Sequence, residues 1–538
     1  MGGNFSCVRS KESPTGGALS VPRDSPFGKL KRSLSSRSSA RARALVAPSD
    51  RSLVDLCLGI ICDRIHEFAP TALAALPPDL AQLVLNTLIG TGVLDEEIAA
   101  RLAGLSHYQL RLAGYPGPVT DGWLVSLTNS ALETLVLDHS LVTDVGLLRL
   151  GHLPALRVLS LQHCQHLSSG FACVLARLPA LEELRLSGIP TLRDESVQWL
   201  RACPALRALS ISLCREVTTL EPLRGLTRLE SLDLGWCGGV DDAALGALRG
   251  LTSLRRLVLD LARCPGVGDA AVRAVCAAAP PGLVRLDLAY TRVTDAGLTG
   301  VARALGTLRV LSLEACAVGD AGVRALRALR DLECLDLSDT AVGNAGVAEG
   351  VAALARLHTL SLAFTAVEDE GVEALGALRA LRRLNLDCRG VGDAACRALA
   401  RLAALEELDL FGARVTDAGC GALSALRALT SLEVCGGAVG GAGVAALARL
   451  PALRRLSLAQ NARVSSRAIP YLLRLSTLAE LNLSQTAVAS GIEELGRLPR
   501  LERLILHGTR VRVSNARRVQ EQLPGLLVVG IPGIDVPK

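Results

Sequence analysis

Aromatic side chains are scarce: Phe, Tyr and Trp make up 2% of the 538 residues, and there is a single methionine. A compact core of that size normally fills its volume with aromatics. Their scarcity, beside a surplus of Leu, Ala, Gly, Val and Arg, points away from one globule. It suggests a stack of small aliphatic layers, each packed on its neighbours. Lysine is nearly missing too, at Lys11, Lys29, Lys31 and Lys538 only. A bias toward arginine accounts for that.

No apolar run is long enough to span a bilayer, because Arg, Asp or Glu interrupts each one. The first 25 residues lack the continuous apolar stretch of a secretory signal. The 16 cysteines are scattered, and no C-x-x-C pairs with another at zinc spacing. No metal and no cofactor is expected. Scattered free thiols suit a reduced, cytoplasmic compartment. Walker, kinase and G-x-S-x-G motifs are missing, so the chain reads as non-enzymatic. His163-Cys164 and His166 look suggestive, but Cys164 falls on a repeat position that has a packing role.

Net charge is +6, and it is unevenly placed. Residues 1–51 hold ten Lys/Arg against three Asp/Glu, so the rest is near neutral. The body lacks a basic stripe, and no nucleic acid is expected as a partner.

What is present divides the chain. Residues 1–51 are rich in Ser, Arg, Gly and Pro and should be a disordered basic tail. Residues 52–106 read as a small helical cap, with Pro77 and Pro78 opening a helix that carries Leu80, Leu83, Val84 and Leu88 on one face. Residues 107–525 repeat about every 25 residues on an L-x-x-L-x-L block, as at Leu132, Leu156, Leu181, Leu332 and Leu501. About 17 units follow. Residues 526–538 should cap the open end and close the chain.

Each unit reads as strand, turn, helix and return. In Leu332-Glu-Cys-Leu335-Asp-Leu337, alternation turns Leu335 and Leu337 inward and Asp336 outward. A small polar residue follows, such as Cys164, Cys316, Thr340 or Asn461, suited to bonding the backbone freed where the strand ends. Then comes V-T-D-x-G-L, as in Val293 to Leu298, whose Asp or Asn suits a helix N-cap (Asp144, Asp295, Asp320, Asn344, Asp369, Asp393, Asp417). The unit at Leu254 is longer, and bulges are expected at Cys264-Pro265-Gly266 and Pro280-Pro281. The fold expected is an α/β leucine-rich-repeat solenoid, a horseshoe with a concave parallel β-sheet and convex helices.

The repeat L-x-x-L-x-L-x-x-C/T-x-x-V-T-D-x-G-L resembles the cysteine-containing, ribonuclease-inhibitor-like class of leucine-rich repeats. Met1-Gly2-Gly3, Ser52 to Cys57, Ala75 to Leu80 and Leu112 to Gly117 followed by Asp121-Gly-Trp123 resemble one plant family of intracellular leucine-rich-repeat proteins, often labelled F-box/LRR-like. The resemblance implies a protein-binding role and a place as the substrate-recognition subunit of a cullin-type (SCF) ubiquitin ligase. Leu76, Pro77, Leu80, Leu83 and Leu88 resemble the first half of an F-box, which docks on a Skp-type adaptor. Its second half, a cysteine-arginine-aromatic-tryptophan helix, is missing. The plainer reading is a cap over the apolar edge of the first repeat.

Met1-Gly2-x-x-x-Ser6 fits the N-myristoylation pattern at Gly2. One acyl chain holds a membrane only marginally, and Cys7 and the basic tail could supply the second signal. A place on the cytosolic face of the plasma membrane follows as an expectation. Phosphorylation of the serines between Lys31 and Ser39 would subtract positive charge. The alternative role is a membrane-tethered signalling scaffold with no ligase link.

The concave face is the expected partner surface. Its outward positions carry Asp233, Asp260, Asp287, Glu314, Asp336, Asp387 and Asp409. Arg256, Arg285, Arg383 and Arg455 border this acidic strip, and Trp236, Tyr290, Phe364 and Phe411 fall near the strand exits. Aromatic anchors beside charge suit protein binding. Cross-strand Asp–Arg pairing on a solvated sheet is the plainer reading.

Overall fold

The computed structural model describes residues 53–531, except 151–152, 250, 252, 259–265 and 279–281. The expected tail, Gly2, Cys7, the serines between Lys31 and Ser39, Asp260, Cys264-Pro265 and Pro280-Pro281 lie outside the described residues. The chain divides into Met1–Gly59 and Ile60–Lys538. In the first unit the described residues, 53–59, are helical.

The second unit opens with short helices. Pro78 stands at the first position of the helix Pro78–Thr91, where its missing N–H costs nothing, and Gly92 ends it with φ 73°. The buried stripe of this helix is Ala81, Val84, Leu85 and Leu88, at the spacing of one helical face. Leu80 and Leu83 fall outside it, 39% and 41% exposed. Gln82, also buried, closes the sheet edge: its Nε2 donates to the Gln109 carbonyl at 2.8 Å, and its Oε1 accepts the N–H groups of Tyr108 and Gln109. A side-chain amide thus takes the place of a neighbouring strand.

Among the described residues eighteen three-residue strands follow, from Gln109–Arg111 to Leu527–Val529. Each pairs in parallel with the strand of the next coil, as Leu335 does with Leu311 and Leu360. Among the described residues the first and last strands pair on one side only, so the sheet is open. The segment expected to cap the open end is in part this last strand, paired with Arg503–Ile505. Leu332, Leu335 and Leu337 are fully buried, as are their counterparts in coil after coil. Strands stack about 4.8 Å apart and helices need about 8–10 Å. The sheet face turned away from the helices is therefore the concave one.

The aspartates sit one residue later than expected. Asp295, Asp320, Asp393 and Asp417 are the first helical residues, and Thr294, Gly319, Gly392 and Thr416 hold the cap position. Their carboxylates serve the next coil instead. Asp393 Oδ1 accepts the N–H of Thr416 at 2.8 Å and of Gly419 at 3.0 Å. Asp242, Asp269, Asp295, Asp320, Asn344, Asp369 and Asp417 do the same for their successors. The arrangement gives the N–H groups at each helix start an acceptor, a charged one wherever the residue is Asp. It also explains the glycine of D-x-G: a Cβ at Gly419 would lie 2.4 Å from Asp393 Oδ1.

The small polar residues at the strand exits do bond backbone. Thr340 Oγ1 donates to Leu337 of its own coil, whereas Cys388 Sγ reaches back to Leu362 of the previous coil at 2.9 Å. Asn461 does both, donating to Leu458 and Val434. The helical layer is uneven. Asp295–Ala304 is α-helical, but Ser169–Arg177 and Glu221–Gly225 are 3-10 turns. Among the described residues no helix is long and apolar enough to cross a membrane.

Candidate protein-binding face

Three columns of side chains cross the concave face. The first precedes the middle leucine of each strand, the second follows it, and the third follows the last leucine. Arg256, Arg285 and Arg383 stand in the first column. Arg285 is half-buried, and burial together with the neighbouring Arg256 pulls its pKa down. Arg383 Nε donates to Thr359 Oγ1 at 3.2 Å, and Arg455 pairs with Glu407 at 3.1 Å. The ion pair at this side is thus Arg–Glu within the first column.

The carboxylates of the acidic strip lie in the other two columns, on adjoining strands. Asp287, Glu314 and Asp336 come from three consecutive coils. Glu314 Oε1 accepts the Tyr290 hydroxyl at 2.9 Å. Burial pushes the Glu314 carboxyl up to about 7, with Asp336, Asp287 and Asp339 adding like charge against the Tyr290 bond. Asp336 is not the exposed contact expected: it is 1% exposed, and its Oδ1 accepts the N–H and hydroxyl of Ser338. A carboxylate on a tightly stacked sheet is covered by its neighbours, and burial raises it to about 6. Asp387 is half-buried and also raised to about 6, by burial and by Asp409, with Arg389 opposing. Asp233 and Asp409 are half-buried and accept the N–H groups of Gly235 and Phe411.

The aromatics take an unusual backbone. The second residue after the last leucine is left-handed in most coils, and Trp236, Tyr290 and Phe364 hold φ of 63°, 56° and 57° there. The N–H of this residue donates to the next coil, as Phe364 does to the Asp387 carbonyl at 2.8 Å. Trp236 is half-buried, whereas Tyr290 and Phe364 are 40% and 69% exposed. Phe411 is one position earlier than the others, since Gly412 takes the left-handed place, and it is 37% exposed. The row itself was missed, and with it seven further non-glycine members among the described residues, His139, His163, Leu213, Ala315, Asp339, Gln460 and Gln485. The glycines at Gly188, Gly412, Gly436 and Gly508 were the signal that could have marked it.

At the N-terminal helices, Pro77, Leu80 and Leu83 are exposed and Leu76 is half-buried. Leu88 is fully buried in the stripe with Leu85 and is removed from the adaptor-docking set. The histidines form no reactive group with Cys164. His163 stacks on His139 at 4.7 Å, and the Cys164 thiol donates to the Leu137 carbonyl. Burial pushes Cys203 and Cys214 up to about 11 and Cys396 up to about 12, so these thiols stay protonated. Among the described residues no group of His, Cys, Asp and Glu is placed to hold a metal ion.

A leucine-rich-repeat family model matches residues 307–326, 356–376 and 404–424. No curated protein matches the chain. Among solved structures, TLR13 in its complex with ssRNA13 is similar with a TM-score of 0.50 and 20% identity, over 81% of this chain and 68% of that one. A leucine-rich-repeat protein of Leptospira interrogans gives 0.45 and 18%, over 80% and 97%. An internalin of Listeria monocytogenes gives 0.44 and 20%, over 67% and 89%. With three of its coils matched by the repeat model and the fold shared with TLR13, the chain carries leucine-rich repeats and has the fold of an open α/β leucine-rich-repeat solenoid.

Proposed function

We propose that this chain is a non-enzymatic adaptor that grips a protein partner on the concave face of its sheet. The observation that carries the reading is Phe364, 69% exposed on a face that no other described element covers, beside the half-buried Asp387. Exposed rings on a rigid sheet lose little freedom on binding and act as anchors. The carboxylates oppose a polyanion, so the RNA of the TLR13 complex is not carried over to this face. Capture by the full chain tests the reading. Charge reversal at Asp287, Asp387 and Asp409 should abolish partner recovery, while reversal of Glu349 on the helical side should not. Equal recovery by all forms would remove it.

The resemblance to F-box/LRR-like proteins supports a finer role, substrate recognition for a cullin-type ubiquitin ligase. Exposed Pro77, Leu80 and Leu83 supply an apolar patch for a Skp-type adaptor. Co-purification with that adaptor should be lost on changing Leu80 and Leu83 to Glu. If no complex forms, the rival stands: a membrane-tethered signalling scaffold held through Gly2 and Cys7. Unchanged membrane partition of Gly2→Ala would remove that rival in turn.

A further inference from the structure

Two separate features of the concave face point to one ligand chemistry; the inference rests on that face being the binding surface. The first is the left-handed row. Glycine takes that conformation freely, and it stands there at Gly188, Gly412 and Gly436. Tyr290 and Phe364 hold it against the cost a bulky side chain meets, and both leave their rings exposed. Neither burial nor backbone geometry accounts for a ring at these places.

The second is the sorting of charge. Between Asp233 and Glu433, the second and third columns carry carboxylates and, among the described residues, no Lys, Arg or His. These carboxylates sit beside the rings. The Tyr290 hydroxyl bonds Glu314, and the Phe364 N–H bonds the Asp387 backbone of the next coil. Burial first and neighbouring like charge second hold the Glu314 and Asp387 carboxyls above their ordinary values, and an arriving cation would favour their ionised forms. A ring face next to a carboxylate suits a guanidinium, which stacks by its plane and bonds by its edge. An ammonium has no such plane.

We propose that the face between Tyr290 and Phe411 binds an extended, arginine-bearing segment of a protein partner, with guanidinium groups over Tyr290 and Phe364 bonded to Glu314 and Asp387. The spacing sets the motif. Tyr290 and Phe364 are three coils apart, roughly 14 Å along the stack, and four residues of extended chain span roughly 13 Å on one side. Two arginines four residues apart would meet both rings.

The test is fluorescence polarisation on the full chain. The probe is a labelled Gly/Ser peptide with two arginines four residues apart. It should bind, and a lysine version should bind several-fold more weakly. Phe364→Gly should weaken binding about tenfold, a difference of about one decade in Kd. The same variant should keep or raise the melting temperature, because glycine suits the conformation. Glu314→Gln with Asp387→Asn should act like Phe364→Gly on binding. Equal binding of the arginine and lysine peptides, no effect of Phe364→Gly, or preferential binding of single-stranded RNA overturns the inference. If no arginine peptide binds while charge reversal still abolishes partner capture, the arginine assignment falls and the adaptor reading stands. If neither effect is seen, both fall.

Discussion

Asp295 in one coil accepts the backbone N–H of Gly319 in the next at 2.8 Å, and a Cβ at Gly322 would lie 2.5 Å from the same oxygen. Aspartate and glycine are therefore a pair made between coils, though each motif is written within one. Gly322→Val should cost about 1–3 kcal/mol through overpacking, and Asp295→Ala about 2 kcal/mol through the lost charge-assisted bond. Ala395 fills the glycine position and still donates to Asp369 at 3.1 Å. There the gap accommodates a methyl, and Ala395→Gly should lose only about 1 kcal/mol of helix propensity. Urea melts read with local hydrogen exchange would separate these, since a repeat array does not melt as one unit.

Stability should fall as pH rises across the acidic face. Glu314 at about 7 and Asp336 at about 6 are raised in the folded chain. Ordinary carboxyls in the unfolded chain ionise near 4. Between those values the folded state binds more protons, so stability declines with rising pH and levels off above about 7. The groups facing Glu314 are Asp287, Asp336, Asp339 and Tyr290. Asp336→Asn should therefore raise stability by about 1 kcal/mol at pH 8 and leave it unchanged near pH 4. Thermal melts at the two pH values check this; a gain at the lower one contradicts it.

Partner binding should follow the same groups with the opposite sense. A cationic ligand favours the ionised forms of Glu314 and Asp387, so affinity should rise from pH 5.5 to 7.5, by about tenfold if two charges are involved. Glu314→Gln with Asp387→Asn should flatten the profile. Titration calorimetry in buffers of different ionisation enthalpy would register the protons released.

Thiol reagents should rank the described cysteines by burial. Cys57 is exposed and should react first in the native chain. Cys396 and Cys420 are buried and pushed well up, Cys396 to about 12, and should react only on unfolding. Mass spectrometry after brief alkylation, with and without urea, would show the order.

Gln82→Ala should release the first strand. It removes three bonds to Tyr108 and Gln109, worth about 2–3 kcal/mol where the backbone groups are left unsatisfied. Faster exchange of the Gln109 amide and a rise in self-association would follow from an open sheet edge. Unchanged exchange at Gln109 would show that the helix covers the edge without this side chain.

The leucine columns were legible because period and burial are both local. Leu335 and Leu337 had to turn inward on an alternating strand, and they do. The aspartate's role was not legible, because a first-turn residue such as Asp393 reads as a cap in one coil and its partner Thr416 lies in another. The burial of Asp336 escaped for a similar reason: alternation sets the face of a side chain, while the strands on either side set its exposure. Leu80, Leu83 and Leu88 could not be separated by hydrophobicity. Helical phase relative to Ala81 and Leu85 separates them, and a short apolar-rich helix leaves that phase ambiguous.

The carboxylate contacts run one way along the chain. Asp393 accepts the N–H and hydroxyl of Thr416 and the N–H of Gly419 in the next coil, and Asp417 turns onward to Gly440. Shortening the array from its C-terminal end therefore leaves each remaining helix start that a preceding carboxylate bonds still held. Shortening it from the other end exposes the start of the new first helix. The molecule thus has a built-in direction of dependence, in which each layer inherits its footing from the one before it.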